Sequence, residues 1–324
     1  MGALLGGVWV SDNSGRGQYG DDILVLVSEM YYIQEKTQKD IADNLGLSRP
    51  AVSRLLQTAR DRGIVSVSII DPSERLKKLE EELTQAFGLK GCRLCPSGED
   101  HAILRARLGY RGAELLMTNM EPGDVIGIGA GSTVYETVRA LRESRDYPGL
   151  RVVPLSGGGL GVDGRPQINQ VVHMAAHRLN AESVYLNAPL YIGEDSVARL
   201  LMEDASIRQC TGLWDQLGNA LIGIGRGNIV DTQDPYFIAA LEAVGQSRVA
   251  AAVCGWFVDR EGNAIRGKNT TSVSFDQLKA ARNVFAIAGG KRKARAILSA
   301  LRGKFATHLV TDEDVAREVL FMIS

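Results

Sequence analysis

Apolar residues in the first ninety positions recur at helical spacing. Ile23, Leu26, Val27 and Met30 share one helical face from Asp21 onward. Thr37 caps a second helix, with Asp40 three residues on as a shortened capping box. Ile41 and Leu45 give that helix its apolar side, and Gly46 stops it. Ser48 caps a third helix that tolerates Pro50 in its first turn. Its stripe is Val52, Leu55, Leu56 and Ala59, and Gly63 ends it. Ile64–Ile70 alternates Val and Ile with Ser and predicts a short strand. Pro72 opens a further helix with a narrow seam of Leu76, Leu79, Leu83 and Phe87, a geometry that packs on a twin or on the next domain.

After residue 90 the texture changes. Short Val/Ile/Leu runs end in glycine clusters and lead into helical segments: Val125–Ile128, Leu150–Leu155, Val184–Leu186, Ala220–Ile224, Val249–Val253, Val284–Ala288 and His308–Val310. Buried, non-alternating strands interleaved with helices predict a mostly parallel sheet covered on both faces. The expected fold class is therefore α/β: a small all-α helix-turn-helix domain followed by a mostly parallel α/β ligand domain. The expected organisation is a flexible tail (1–20), a DNA-binding domain (21–70), a linker or oligomerisation helix (71–90) and a ligand domain (91–324).

Composition narrows the classes. The 324 residues are 45% hydrophobic and 23% charged, which excludes a disordered or collagen-like chain. With 37 basic and 38 acidic residues the net charge is -1, so a nucleic-acid surface must be local. Four cysteines make no disulfide framework, and apolar runs fall short of a membrane span. The start lacks a basic n-region, so the expected compartment is the cytoplasm.

The segment Thr37–Gly63 has helix-turn-helix dimensions. With Val52 at the centre of the buried face, Pro50, Arg54 and Gln57 lie opposite, flanked by Arg49 and Ser53. Arg forks onto guanine and Gln onto adenine in the major groove. Ser48 at a helix N-terminus suits a phosphate. Thr37 and Gln38 complete the candidate DNA-contacting set. Ser48–Arg62 carries four Arg and one Asp, a local charge of +3.

The loop Gly127–Thr133 (GIGAGST) opens a helix and can cradle an anion with its amides, Ser132 and Thr133. Its G-x-G-x-G spacing differs from the dinucleotide fingerprint, and strand 151–155 ends in Leu155 and Ser156 rather than an acid. Ser156–Gly161, Gly223–Gly227 and Gly289–Lys293 also follow strands, so a parallel sheet puts all four turns on one edge. Lys291 and Lys293 stand beside a helix start there. Cys92-x-x-Cys95 lacks a second pair nearby and reads as core strand; His173 and His177 lack a third ligand, so no metal or cofactor is expected. No nucleophile elbow or catalytic triad is evident.

Taken together, LSRPAVSRLLQTARDRGIVSVSI, GIGAGST, VVPLSGGGLG and AIAGGKRKARAILSALRGKFATHLVTDE resemble the SorC family of bacterial transcriptional regulators over roughly residues 21–324. The resemblance implies a helix-turn-helix joined to a sugar-binding domain of phosphosugar-isomerase type. It also implies operator DNA as partner, a sugar, polyol or sugar-phosphate effector, and a dimer or tetramer. It places the effector phosphate at Gly129, Gly131, Ser132 and Thr133, assisted by Lys293, with Ser156, Gly157 and Gly158 in the next loop. Where several relatives carry a basic residue this chain has Ser156, so covalent capture of a sugar there is not available. Where relatives often carry an acid, before GWFVD, it has Ala252. The alternative is a sugar-phosphate isomerase, since GIGAGST also resembles that phosphate loop. Against an enzyme stand Ser156, the lack of an acidic run for proton abstraction, and the fused helix-turn-helix.

Overall fold

The computed structural model describes residues 3–5, 8–10, 20–67, 74–144, 147–159, 166–228, 235–266 and 269–324. The chain divides into two compact units, one of residues 1–71 with 142–144, the other of residues 72–141 and 145–324.

In the first unit, β1 (Ala3–Leu5) and β2 (Val8–Val10) pair antiparallel. The rest of the expected tail, residues 1, 2, 6, 7 and 11–19, lies outside the described residues. Helix α1 (Asp21–Ser28) runs into a π-helical turn, Glu29–Ile33, followed by α2 (Gln38–Leu45) and α3 (Arg49–Asp61). Ile23, Leu24 and Val27 are buried on α1, whereas Leu26, expected on the core face, is exposed. Their partners are Ile41 and Ala42 of α2 and Val52, Leu55, Leu56 and Ala59 of α3. The Thr37–Asp40 capping box is formed, and Gly46 ends α2 at φ 63°. Arg62 ties the end of α3 to Asp21 at 3.1 Å. The described part of the expected 64–70 strand, residues 64–67, lies in no strand; residues 68–70, like Pro72, fall outside the described residues.

The second unit opens with α4 (Glu74–Phe87) and is built on seven parallel strands. These are β3 (Gly91–Cys95), β4 (Val125–Ile128), β5 (Arg151–Pro154), β6 (Glu182–Ser183), β7 (Leu217–Gly223), β12 (Asn283–Ile287) and β13 (His308–Asp312), in the order β3-β13-β12-β7-β4-β5-β6. A smaller antiparallel sheet holds β8 (Gly225–Arg226), β9 (Ala251–Val253), β10 (Trp256–Val258) and β11 (Ala264–Arg266). Val249–Val253 thus supplies a strand of this second sheet, and the run Val184–Leu186 lies just beyond β6 rather than in it.

The remaining helices are α5 (His101–Thr118), α6 (Ser132–Ala140), α7 (Ile168–Leu179), α8 (Asp195–Glu203), α9 (Ala205–Thr211), α10 (Pro235–Val244), α11 (Phe275–Ala280), α12 (Ala294–Arg302) and α13 (Glu313–Phe321). Two hydrophobic clusters pack the main sheet from opposite sides. Cys92 belongs to one and Cys95 to the other, so the two thiols point to opposite faces and cannot share a ligand. Burial pushes the Cys95 thiol up to about 12 and the Cys92 thiol higher still.

The α4 seam of Leu76, Leu79 and Leu83 is buried within this same unit, with β3 and α13 as its neighbours. Of the two packing partners open to it, the next domain is the one found. A self-association element built on these leucines is corrected accordingly, because their apolar surface is already covered.

Candidate functional site

The candidate residues at the start of and along α3 face outward: Ser48, Arg49, Pro50, Ser53, Arg54 and Gln57 are exposed, while Val52, Leu55 and Leu56 between them are core. Ser48 accepts from the Ala51 amide and fixes the start of α3. Thr37 is exposed and Gln38 half-exposed at the start of α2. Gln57 donates to Asp61 at 2.8 Å, one turn along, so reading a base requires release of that contact. Arg62 is engaged with Asp21, so Arg49, Arg54 and Arg60, all exposed, carry the cationic character of α3.

In the second unit, the carboxyl ends of the parallel strands open into a cavity of about 1210 Å³. All four glycine turns reach it: Gly129–Thr133 after β4, Gly157 and Gly159 after β5, Gly223–Arg226 after β7, and Gly289–Lys293 after β12. Helix α6 starts at this cavity. Its N-cap is Gly131 at φ 144°, a conformation that favours glycine, and no side chain caps it. The first amides of a helix have no carbonyl one turn back, so these donors face the cavity with the positive end of the dipole. Lys293 donates from Nζ to the Ile224 carbonyl at 2.9 Å, which holds its ammonium at the β7 end of the same cavity. Asp312, buried at the end of β13, accepts from the Gly290 amide and from Ser97, and so fixes the β12 turn.

Tight packing places α6. A Cβ on Gly109 of α5 would lie 2.6 Å from the Glu136 backbone carbon, so α5 and α6 approach where only glycine fits. Behind the anion loop stands Cys254, at the tip of the two-residue turn joining β9 and β10. Its Sγ lies 3.2 Å from where a Cβ on Gly129 would be, and burial pushes the thiol up to about 12.

The geometry narrows one expectation and departs from two. Thr133 lines the cavity but is buried, and its hydroxyl donates to the Ile287 carbonyl, joining α6 to β12. Ser156 is buried and does not line the cavity, because it alternates with Gly157 at the strand end. Gly158 is bridged to Pro189 and lies outside the lining. Gly129, Gly131, Ser132, Gly157 and Lys293 do line it. Gln167, Tyr191 and Phe237 also line it and were not legible in the sequence, because no spacing rule links them to the glycine turns. His173 bonds the Tyr185 hydroxyl at 3.0 Å on an exposed surface. Among the described residues no cluster of three metal-ligating side chains occurs, and no helix is long and apolar enough to cross a membrane.

Residues 71–321 match the family model Sugar-bind, described as "Putative sugar-binding domain". Residues 26–62 match sigma-70 region 4, a helical DNA-binding region. The sorbitol operon regulator of Klebsiella pneumoniae is 33% identical over 313 residues, covering 93% of this chain and 98% of that one. The chain belongs to the SorC family of transcriptional regulators. The crystal structure of full-length SorC from Klebsiella pneumoniae superposes with a TM-score of 0.74 at 31% identity, covering 94% of this chain and 100% of that chain. The deoxyribonucleoside regulator of Bacillus subtilis is 29% identical over 303 residues, covering 91% of this chain and 96% of that one. SorC-family membership makes this chain a DNA-binding regulator with a sugar-binding domain. The isomerase alternative is set aside, since these relatives are regulators rather than enzymes.

Proposed function

We propose that this SorC-family chain controls a carbohydrate-utilisation operon in the cytoplasm as a homo-oligomer, and that the strand-end cavity holds its carbohydrate effector. The anionic end of that effector sits on the amides of Gly131, Ser132 and Thr133, with Lys293 as counter-charge. One observation carries the reading: four glycine turns from four strands, an uncapped helix N-terminus and a tethered lysine meet in one cavity. Helix N-terminal amides and an ammonium at one cavity suit a phosphate more than a neutral hydroxyl.

Operator DNA is read by α3, with Arg49 and Arg54 at base edges and Ser48, Thr37 and Gln38 at the sugar-phosphate backbone. Effector binding changes operator affinity by a coupling of about 1–3 kcal/mol. Helix α4, next in sequence to the DNA-binding unit and packed on β3 and α13, is the element that carries it. A thermal-shift screen of sugars and sugar phosphates against the full chain tests the reading. A true effector raises Tm in proportion to ln(1 + [L]/Kd) and alters retention of DNA in the same preparation. A screen in which free sugars stabilise the chain and their phosphates do not would remove the anionic end from the account.

A further inference from the structure

The SorC-family resemblance leads one to expect charged side chains against the sugar, yet two of the positions concerned hold Ser156 and Ala252. Around Ala252 the small sheet presents an uncharged face. In the small sheet, Ala252 pairs in register with Gly225 on one side and Phe257 on the other, so all three share a face. The opposite face, with Ala251, Val253 and Val258, is spent on the main core. A Cβ on Gly225 would sit 3.8 Å from that of Ala252, an ordinary contact, so glycine there leaves open space rather than relieving a clash.

Aromatic rings extend this face. Phe257 is buried and meets Phe237 edge-to-face, with centroids 5.5 Å apart; Phe237 meets Tyr191 in the same manner at 6.3 Å. Phe237 and Tyr191 are half-buried and line the cavity, each held by its neighbour. Polar groups elsewhere in the lining include the Gln167 amide and Asn228. The Asn228 Oδ1 is buried and accepts no hydrogen bond among the described residues, which leaves an acceptor for a donor the ligand brings.

We propose that the effector binds with its sugar as a closed ring, one C–H face laid against Tyr191 where Phe237 holds it, and its edge hydroxyls on Asn228 and Gln167. This rests on the reading of the cavity as the effector site. A sugar ring gathers C–H bonds on a face, and their partial positive charge matches the negative face of an aromatic ring. An open-chain polyol has no such face. Laid against Tyr191 it would lose water from hydroxyls that find no partner, which is costly.

The test is calorimetry on the full chain with inorganic phosphate and with three matched pairs: glucose 6-phosphate and glucitol 6-phosphate, mannose 6-phosphate and mannitol phosphate, ribose 5-phosphate and ribitol 5-phosphate. In the pair that binds most tightly, the ring-forming member is expected to bind about tenfold tighter than its alditol. Tyr191→Leu keeps the apolar bulk and removes the π-face. It should weaken that ring-forming ligand about three- to tenfold, the range of a single aromatic contact. Tyr191→Phe should retain the affinity, and neither variant should change binding of inorganic phosphate. Circular dichroism and Tm confirm that both variants fold. The proposal is overturned if the alditol binds as well as the ring, if Tyr191→Leu leaves ring affinity unchanged, or if no sugar phosphate outdoes inorganic phosphate. Absence of binding by any probe, inorganic phosphate included, would instead overturn the anionic site itself, and this proposal with it.

Discussion

Arg54 illustrates how much of the DNA-reading surface depends on one side chain. It is exposed on the outward face of α3, opposite the buried Val52. A bidentate contact to guanine is worth about 1–3 kcal/mol. Arg54→Ala should therefore weaken operator binding by that amount and relax specificity at one base position, read by a fluorescence-polarisation titration at fixed salt. Equal affinity for both proteins would take α3 out of the groove. His308 makes a prediction of another kind. Its ring is 5% exposed, stacks on Phe285 at 4.7 Å and bonds Thr307 at 2.9 Å. Burial, reinforced by the nearby Lys90 and Arg93 charges, lowers its pKa from 6.5 to about 4. The unfolded chain thus takes up a proton that the folded chain refuses. The resulting stability is fully present above pH 6.5 and is lost as pH falls toward 4, up to about 3 kcal/mol in all. Between pH 7 and pH 5 the wild type should lose roughly 2 kcal/mol more than His308→Gln in urea melts. Parallel losses would show that folding does not lower the pKa of this ring.

At the scale of elements, α6 is held where its N-terminus serves the cavity by its contact with α5. Gly109→Ala would drive a methyl into the Glu136 backbone, which cannot yield as a flexible side chain does. Overpacking of this kind costs about 1–3 kcal/mol. The variant should lower Tm, and effector affinity should fall with it because the amides of α6 shift; an unchanged Tm would mean the helices slide apart freely. Much of this arrangement was legible in the sequence because its signals are local. A capping Ser, a stop glycine and an apolar stripe fix α2 and α3 within a few residues, and each strand-end glycine turn is announced by its own run. Side-chain direction was not legible. Ser156 and Gly157 are neighbours, yet strand alternation gives the cavity only the second. Thr133 offers the cavity an amide while its hydroxyl turns to β12. Tyr191 and Phe237 meet only because separate loops and helices converge, which no periodicity records. The α4 seam shows a related limit: a narrow apolar stripe states that it will be covered, not by what.

At the scale of the whole molecule, the chain pairs a DNA-reading unit with a cavity whose recognition chemistry is concentrated at one sheet edge. The near-zero net charge fits that division, since local excesses of positive charge occur on α3 and in the Lys291–Lys293 turn. Effector recognition as proposed depends above all on the anionic end of the cavity. The most direct measurement is calorimetry of one sugar phosphate and its dephosphorylated form against wild type and Lys293→Ala. A charge-assisted hydrogen bond is worth about 1.5–3 kcal/mol, so Lys293→Ala should weaken the phosphorylated ligand about ten- to hundredfold. The dephosphorylated form should lose little, and DNA affinity without effector should stay as it was. Equal loss for both forms would contradict the account, because Lys293 would then be a hydroxyl or structural contact and the cavity would have no phosphate end.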